Sequence, residues 1–135
     1  MRYALAMLLA AASLGCGDGA PFDYIPVSGR LTYDDGTPIP ASGIRLSFEA
    51  IDAKPVNGAF PRPGEAEVDS QGNFSKATSY KYGDGLIPGK HKVAIYYATD
   101  KDGILLIPKD YSHASTSPLV VDTANLPFDI KAPRP

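Results

Sequence analysis

Short apolar runs at every second position, cut apart by glycine and proline, constrain this chain more than any other feature. The clearest run is 90–98. There His91, Val93, Ile95 and Tyr97 fall on one side, and Lys90, Lys92, Ala94 and Tyr96 on the other. Side chains of a strand alternate between faces, so a period of two describes a strand with one buried face. The 135 residues include 13 glycines and 13 prolines, and these stand between the alternating runs. Glycine supplies turn conformations other residues resist, and proline removes a backbone donor, so both end regular structure. No stretch after position 16 carries a helical apolar period. The pattern predicts an all-β domain rich in turns.

The other runs fit the same reading. In 25–33, Val27, Gly29, Leu31 and Tyr33 share one face, with Ser28, Arg30 and Thr32 opposite. Asp34-Asp35-Gly36-Thr37-Pro38 turns the chain. In 44–50, Ile44, Leu46, Phe48 and Ala50 point in, and Arg45, Ser47 and Glu49 point out. Residues 52–63 carry proline and glycine and read as a long loop. Ala66 and Val68 mark a strand over 65–69, and Asp69-Ser-Gln-Gly-Asn73 fits a tight hairpin turn into a strand over 74–78. The span 99–118 is polar and irregular. Strands over 119–122 and 126–131 close the domain, and 132–135 reads as a frayed tail. About seven strands at this spacing predict a two-sheet sandwich.

The N-terminus carries a different signal. Arg2 precedes an apolar segment, 4–12, that matches an export signal and falls short of the roughly 20 residues a membrane span wants. The chain's one cysteine, Cys16, follows Ser13-Leu-Gly15. A lone Cys there resembles a bacterial lipoprotein attachment site. That resemblance implies cleavage before Cys16, acylation and a membrane anchor. The pattern prefers Leu three residues before the Cys, where this chain has Ser13. Ordinary signal cleavage, which Ser13 and Gly15 also permit, would instead leave a free thiol at the new N-terminus. A buried N-terminal helix is the third alternative. Stable anchoring takes more than one acyl chain, since each buried CH₂ contributes only about 0.8 kcal/mol. Residues 16–24 then form a tether, and the eight residues after Cys16, fully extended, reach at most roughly 25–30 Å. The expected location is exported, at the periplasmic face or cell surface. One cysteine excludes an internal disulfide.

Composition excludes several function classes. Without 1–15 the chain keeps 120 residues, enough for one core. Its balance is then 12 basic against 15 acidic side chains, a net −3. A mildly acidic chain without a basic cluster argues against nucleic acid as a partner and against an electrostatic hold on anionic lipid.

Several segments taken in order resemble a known family. They are Val27-Ser-Gly-Arg-Leu-Thr-Tyr-Asp-Asp-Gly-Thr-Pro-Ile39, Gly43-Ile-Arg-Leu-Ser-Phe48, Val68-Asp-Ser-Gln-Gly-Asn-Phe74 and Ile87-Pro-Gly-Lys-His-Lys-Val-Ala-Ile95. Their order resembles the carboxypeptidase regulatory-like, or transthyretin-like, domain over 25–131. The stretch 107–119 resembles the late loop of small exported bacterial lipoproteins carrying that domain. The resemblance implies a prealbumin-like (Ig-like) β-sandwich of about seven strands and no catalysis. His91 departs from the family pattern, which has Tyr between Gly and Val. An inward imidazole there needs a hydrogen-bond partner.

Candidate chemistry is sparse. His113 lies near Asp110, Ser112 and Ser115, but sequence neighbours rarely form a triad and no Gly-x-Ser-x-Gly elbow exists. The histidines, arginines and C-terminal Tyr-Arg-Gly-Ser of transthyretin-like hydrolases are absent, so no enzyme is expected. Asp100-Lys-Asp-Gly103 hints at a calcium loop, yet the count puts Tyr111 where a bidentate Glu belongs. Two histidines without ligand spacing disfavour zinc. No metal or cofactor is expected. Tyr80, Tyr82, Tyr96 and Tyr97 offer a binding patch or cover a sandwich face. Three readings remain. The first is a non-enzymatic, lipid-anchored envelope module with a structural or protein/glycan-interaction role, Cys16 being the lipid attachment site. The second is a small-ligand or carbohydrate binder using Tyr96, Tyr111 and His113. The third is an envelope hydrolase relying on His113.

Overall fold

The alternating runs become strands. A computed structural model describes residues 22–135. The expected signal segment 1–15, Cys16 and most of the tether lie outside the described residues. Seven strands form: β1 (Gly29–Tyr33), β2 (Arg45–Ala50), β3 (Gly64–Glu67), β4 (Asn73–Phe74), β5 (Lys90–Tyr96), β6 (Val120–Asp122) and β7 (Phe128–Ala132). A 3-10 helix, Lys109–Ser112, lies between β5 and β6. The strands make two sheets, β4-β1-β7 and β3-β2-β5-β6, an all-β arrangement consistent with a β-sandwich. All pairs are antiparallel except β1 with β7.

The two inner faces meet in one core. Phe48 of β2 is buried, with its ring 6.0 Å from Phe74 of β4 and 5.8 Å from Phe128 of β7. Leu31 and Ile130 fill the three-stranded side, and Leu46, Val93 and Ile95 the four-stranded side. These are the inward positions that alternation predicts for β1, β2 and β5.

Three tight turns share one backbone pattern, at 33–37, 69–73 and 100–104. In each, the fourth residue donates to the first carbonyl, and the first amide donates to the fifth carbonyl. That is a type I turn closed by a residue at positive φ, and Gly36, Gly72 and Gly103 supply it. In the last two turns the leading aspartate also accepts the third and fifth amides, at 2.8–3.0 Å.

The structure corrects several local expectations. The 69–73 turn folds the chain back on itself as expected, with Glu65 and Thr78 exchanging backbone bonds of 2.9 and 2.8 Å beyond it, but between them β4 pairs with β1 while β3 pairs with β2, so the two arms part into different sheets. Phe74 is drawn across by its packing on Phe48. β4 spans two residues rather than 74–78. Tyr97, expected inside, is 67% exposed. Its φ of 63° breaks the alternation, sending Tyr97 out and Ala98 into the core. Thr32, Ser47 and Ala94 sit on outward registers yet are buried. Lys131 lies directly across from Thr32 and bonds its hydroxyl at 3.4 Å. The 3-10 segment packs on β5, and the chain after it is bonded to the same strand, with Ser117 donating to the Val93 carbonyl and Lys92 to the Ser117 carbonyl. The tail is held rather than frayed. Ala132 is a buried strand residue, and Arg134 binds Asp35 at 2.8 Å while its guanidinium lies 4.3 Å from the Tyr33 ring centre.

Candidate functional site

The outward face of the four-stranded sheet gathers the chain's exposed chemistry. Cross-strand register puts Tyr96 (β5), Arg45 (β2) and Glu67 (β3) in one row. Arg45 reaches Glu67 at 3.1 Å and Glu65 at 3.4 Å. Beyond the β3 edge, a shallow groove of about 330 Å³ opens between Arg45, Glu65, Glu67, Lys76, Thr78 and Tyr82. Two strand spacings, about 9–10 Å, separate the Tyr96 and Glu67 backbones, so Tyr96 borders the same surface.

The far wall of the groove is stiff. The loop 78–85 folds around the Asp84 carboxylate, which accepts the amides of Ser79, Tyr80 and Lys81 at 2.8–3.0 Å. The Thr78 hydroxyl accepts the Gly83 amide, and the Ser79 hydroxyl donates to the Gly85 carbonyl. Tyr82 projects from this loop, 82% exposed, with the Lys76 ammonium 4.5 Å from its ring centre. Tyr80 is stacked by Arg62 at 5.4 Å. Tyr24, at the entry of the described chain, shares this neighbourhood: burial first, and then the Asp84 charge, push its hydroxyl pKa up, while Arg62 opposes them. Ile25 and Leu86 exchange backbone bonds of 2.7 and 3.0 Å, fixing the entering chain beside this loop.

Of the residues singled out in the sequence, Tyr96 borders the groove and is half-buried. Tyr111 lies in the 3-10 helix, partly buried against the core cluster. His113 follows that helix and is exposed. Both belong to the segment packed against β5, and neither lines the groove. Ser112 donates its hydroxyl to the Lys109 carbonyl, so it is engaged away from His113. Asp100 spends one carboxylate oxygen on the amides of its own turn. Among the described residues no group of three or more His, Cys, Asp or Glu is placed to hold a metal. His91 is buried, and its Nδ1 lies 3.2 Å from the Gly89 carbonyl, the partner its position demands.

Sequence reasoning missed Arg45, Glu65, Glu67 and Lys76. Charged residues on outward strand positions look like ordinary solvated face. The register that lines up Arg45 with Glu67 and Tyr96 is set by pairing between segments remote in sequence. Searches with this chain against protein-family models, curated proteins and solved structures find no match. The class is therefore defined by the fold alone: among the described residues, an all-β arrangement of seven strands in two sheets.

Proposed function

We propose that this chain is a non-enzymatic, lipid-anchored β-sandwich of the carboxypeptidase regulatory-like type, exported and held at the periplasmic face or cell surface through Cys16. It serves there as a structural or protein/glycan-interaction module. The residue order given above supports the family, and the lone Cys16 behind an apolar segment supports the anchor. The observation that carries the interaction role is the groove beside Tyr82. It joins the Tyr82 ring, a surface that packs on the apolar faces of sugars or peptide side chains, to a guanidinium and two carboxylates that orient polar groups, with Tyr96 bordering it along the Arg45–Glu67 row.

Labelling with a palmitate analogue tests the anchor: wild type takes the label and floats with membranes, and a Cys16→Ala chain that does so equally sinks the reading. A glycan array and a thermal-shift screen test the surface. A specific hit lost in Tyr82→Ala and weakened in Tyr96→Ala supports it; a hit unmoved by both places binding elsewhere. The alternative of a small-ligand or carbohydrate binder centred on Tyr96, Tyr111 and His113 draws on the Tyr96–Tyr97 ring pair, 6.3 Å between centres. It requires loss of binding in Tyr96→Ala and His113→Ala with Tyr82→Ala silent.

A further inference from the structure

The sandwich has two unlike poles. Lys90 begins β5, and backbone bonds from Ile51 to Lys90 and from Thr123 to Gly89 place the loops 51–63 and 123–127 at that end. The Ile25–Leu86 bridge brings the entering chain to the same end. Tyr33, Tyr97 and the 100–104 turn lie at the other, where the Tyr33 hydroxyl donates to the Leu106 carbonyl.

A small hairpin stands at the entry pole. Pro55-Val-Asn-Gly-Ala-Phe-Pro61 contains no charged residue and is flanked by Lys54 two residues before Val56 and by Arg62 two after Phe60. Val56 and Ala59 exchange backbone bonds of 2.9 and 3.0 Å across Asn57 and Gly58, both at positive φ (52° and 79°). This is a type I′ turn, whose shape is set by its own residues. It holds Val56 at 38% and Phe60 at 68% exposure. Tyr80 and Leu126, at 39% and 40%, are exposed on loops at the same pole.

We propose that this hairpin inserts its apolar apex among the lipid headgroups of the bilayer, making the entry pole a membrane-contact face. The proposal rests on the lipid-anchor reading. Five residues lie between Cys16 and Phe22, six backbone steps in all, so an anchored chain keeps its first described residue within about 20 Å of the bilayer. The tether attaches at the entry pole, so that pole is the part of the sandwich held nearest to lipid. The apolar tip suits the upper acyl chains, and the Tyr80 ring, with Arg62 stacked on it, suits the headgroup level; Asp52 beside Lys54 leaves the apolar contact rather than net charge to drive insertion. A turn already formed loses little conformational freedom on insertion.

The chain has no tryptophan, so Phe60→Trp creates a single fluorophore at the apex and Tyr97→Trp one at the far pole. The full chain carrying either change is placed on phosphatidylethanolamine/phosphatidylglycerol vesicles containing lipids brominated high on the acyl chain. The expected result is a blue shift and several-fold quenching for Phe60→Trp, with Tyr97→Trp unchanged. Equal, weak quenching of both overturns the proposal. So does a blue shift of Phe60→Trp without vesicles that grows with protein concentration, which marks a second copy as the occupant. Flotation of Cys16→Ala beside wild type reports the anchor separately. Where Cys16→Ala floats less, an unquenched Phe60→Trp on floated wild-type background rejects insertion alone. Where the two float equally, the anchor reading fails, and quenching at the apex still decides insertion.

Discussion

His91 is kept neutral by its surroundings. Burial lowers its pKa from the ordinary 6.5, against the smaller opposing pull of the Gly89 carbonyl and Asp122. The sign follows directly. Above 6.5 both folded and unfolded imidazoles are neutral and the fold has its full stability. As pH falls through 6.5 the unfolded chain takes up a proton that the folded chain resists, so stability is lost toward pH 5. Thermal melts at pH 7 and pH 5 should show this slope in wild type, and His91→Phe should flatten it whatever its own Tm. At the far pole the chain end is clasped by Asp35. The Thr37 hydroxyl and amide, and then Arg134, hold its carboxyl well below the usual carboxylate range. This clasp is present at neutral pH and is released only in strong acid. Arg134→Ala removes a solvent-exposed guanidinium from the face of the buried Tyr33 ring, a cation–π contact worth about 0.5–1 kcal/mol. A Tm lower by a few degrees should follow, with faster amide exchange at 33–37.

At the scale of single elements, the loop 78–85 depends on one carboxylate. Asp84→Ala leaves three amides without their acceptor, at a cost of about 1–3 kcal/mol. Hydrogen exchange should rise in 78–85 while β5 stays protected, and any ligand held by Tyr82 should weaken. How far sequence predicts each element depends on how local its cause is. β2 and β5 are plain from alternation, because Leu46, Phe48, Val93 and Ile95 each answer to one core face. Tyr97 defies the pattern because a single positive φ reverses the phase, and no residue type there announces it. Asp69 and Gly72 correctly signal a turn, yet which sheet receives Phe74 depends on Phe48, remote in the chain. The groove is hidden for the same reason: Arg45, Glu67 and Tyr96 meet only once β2 has paired on both sides.

Across the whole molecule, Phe48 is the residue on which both sheets converge. Phe48→Ala should cost about 3–5 kcal/mol, since its void would face Phe74 and Phe128 on the opposite sheet. Chemical denaturation should show the loss as a shifted midpoint with one transition, because the sheets share a single core. The parallel pair of β1 and β7 adds a mechanical consequence. Its partners run from Gly29 with Phe128 to Tyr33 with Ala132, so the first and last strands lie side by side. The chain enters β1 at one pole and leaves β7 at the other. A pull between an anchored N-terminus and a load on the C-terminus therefore drags the two strands past each other lengthwise. Such shear stretches the whole ladder at once instead of peeling it bond by bond, so the domain should bear tension along that axis far better than across it.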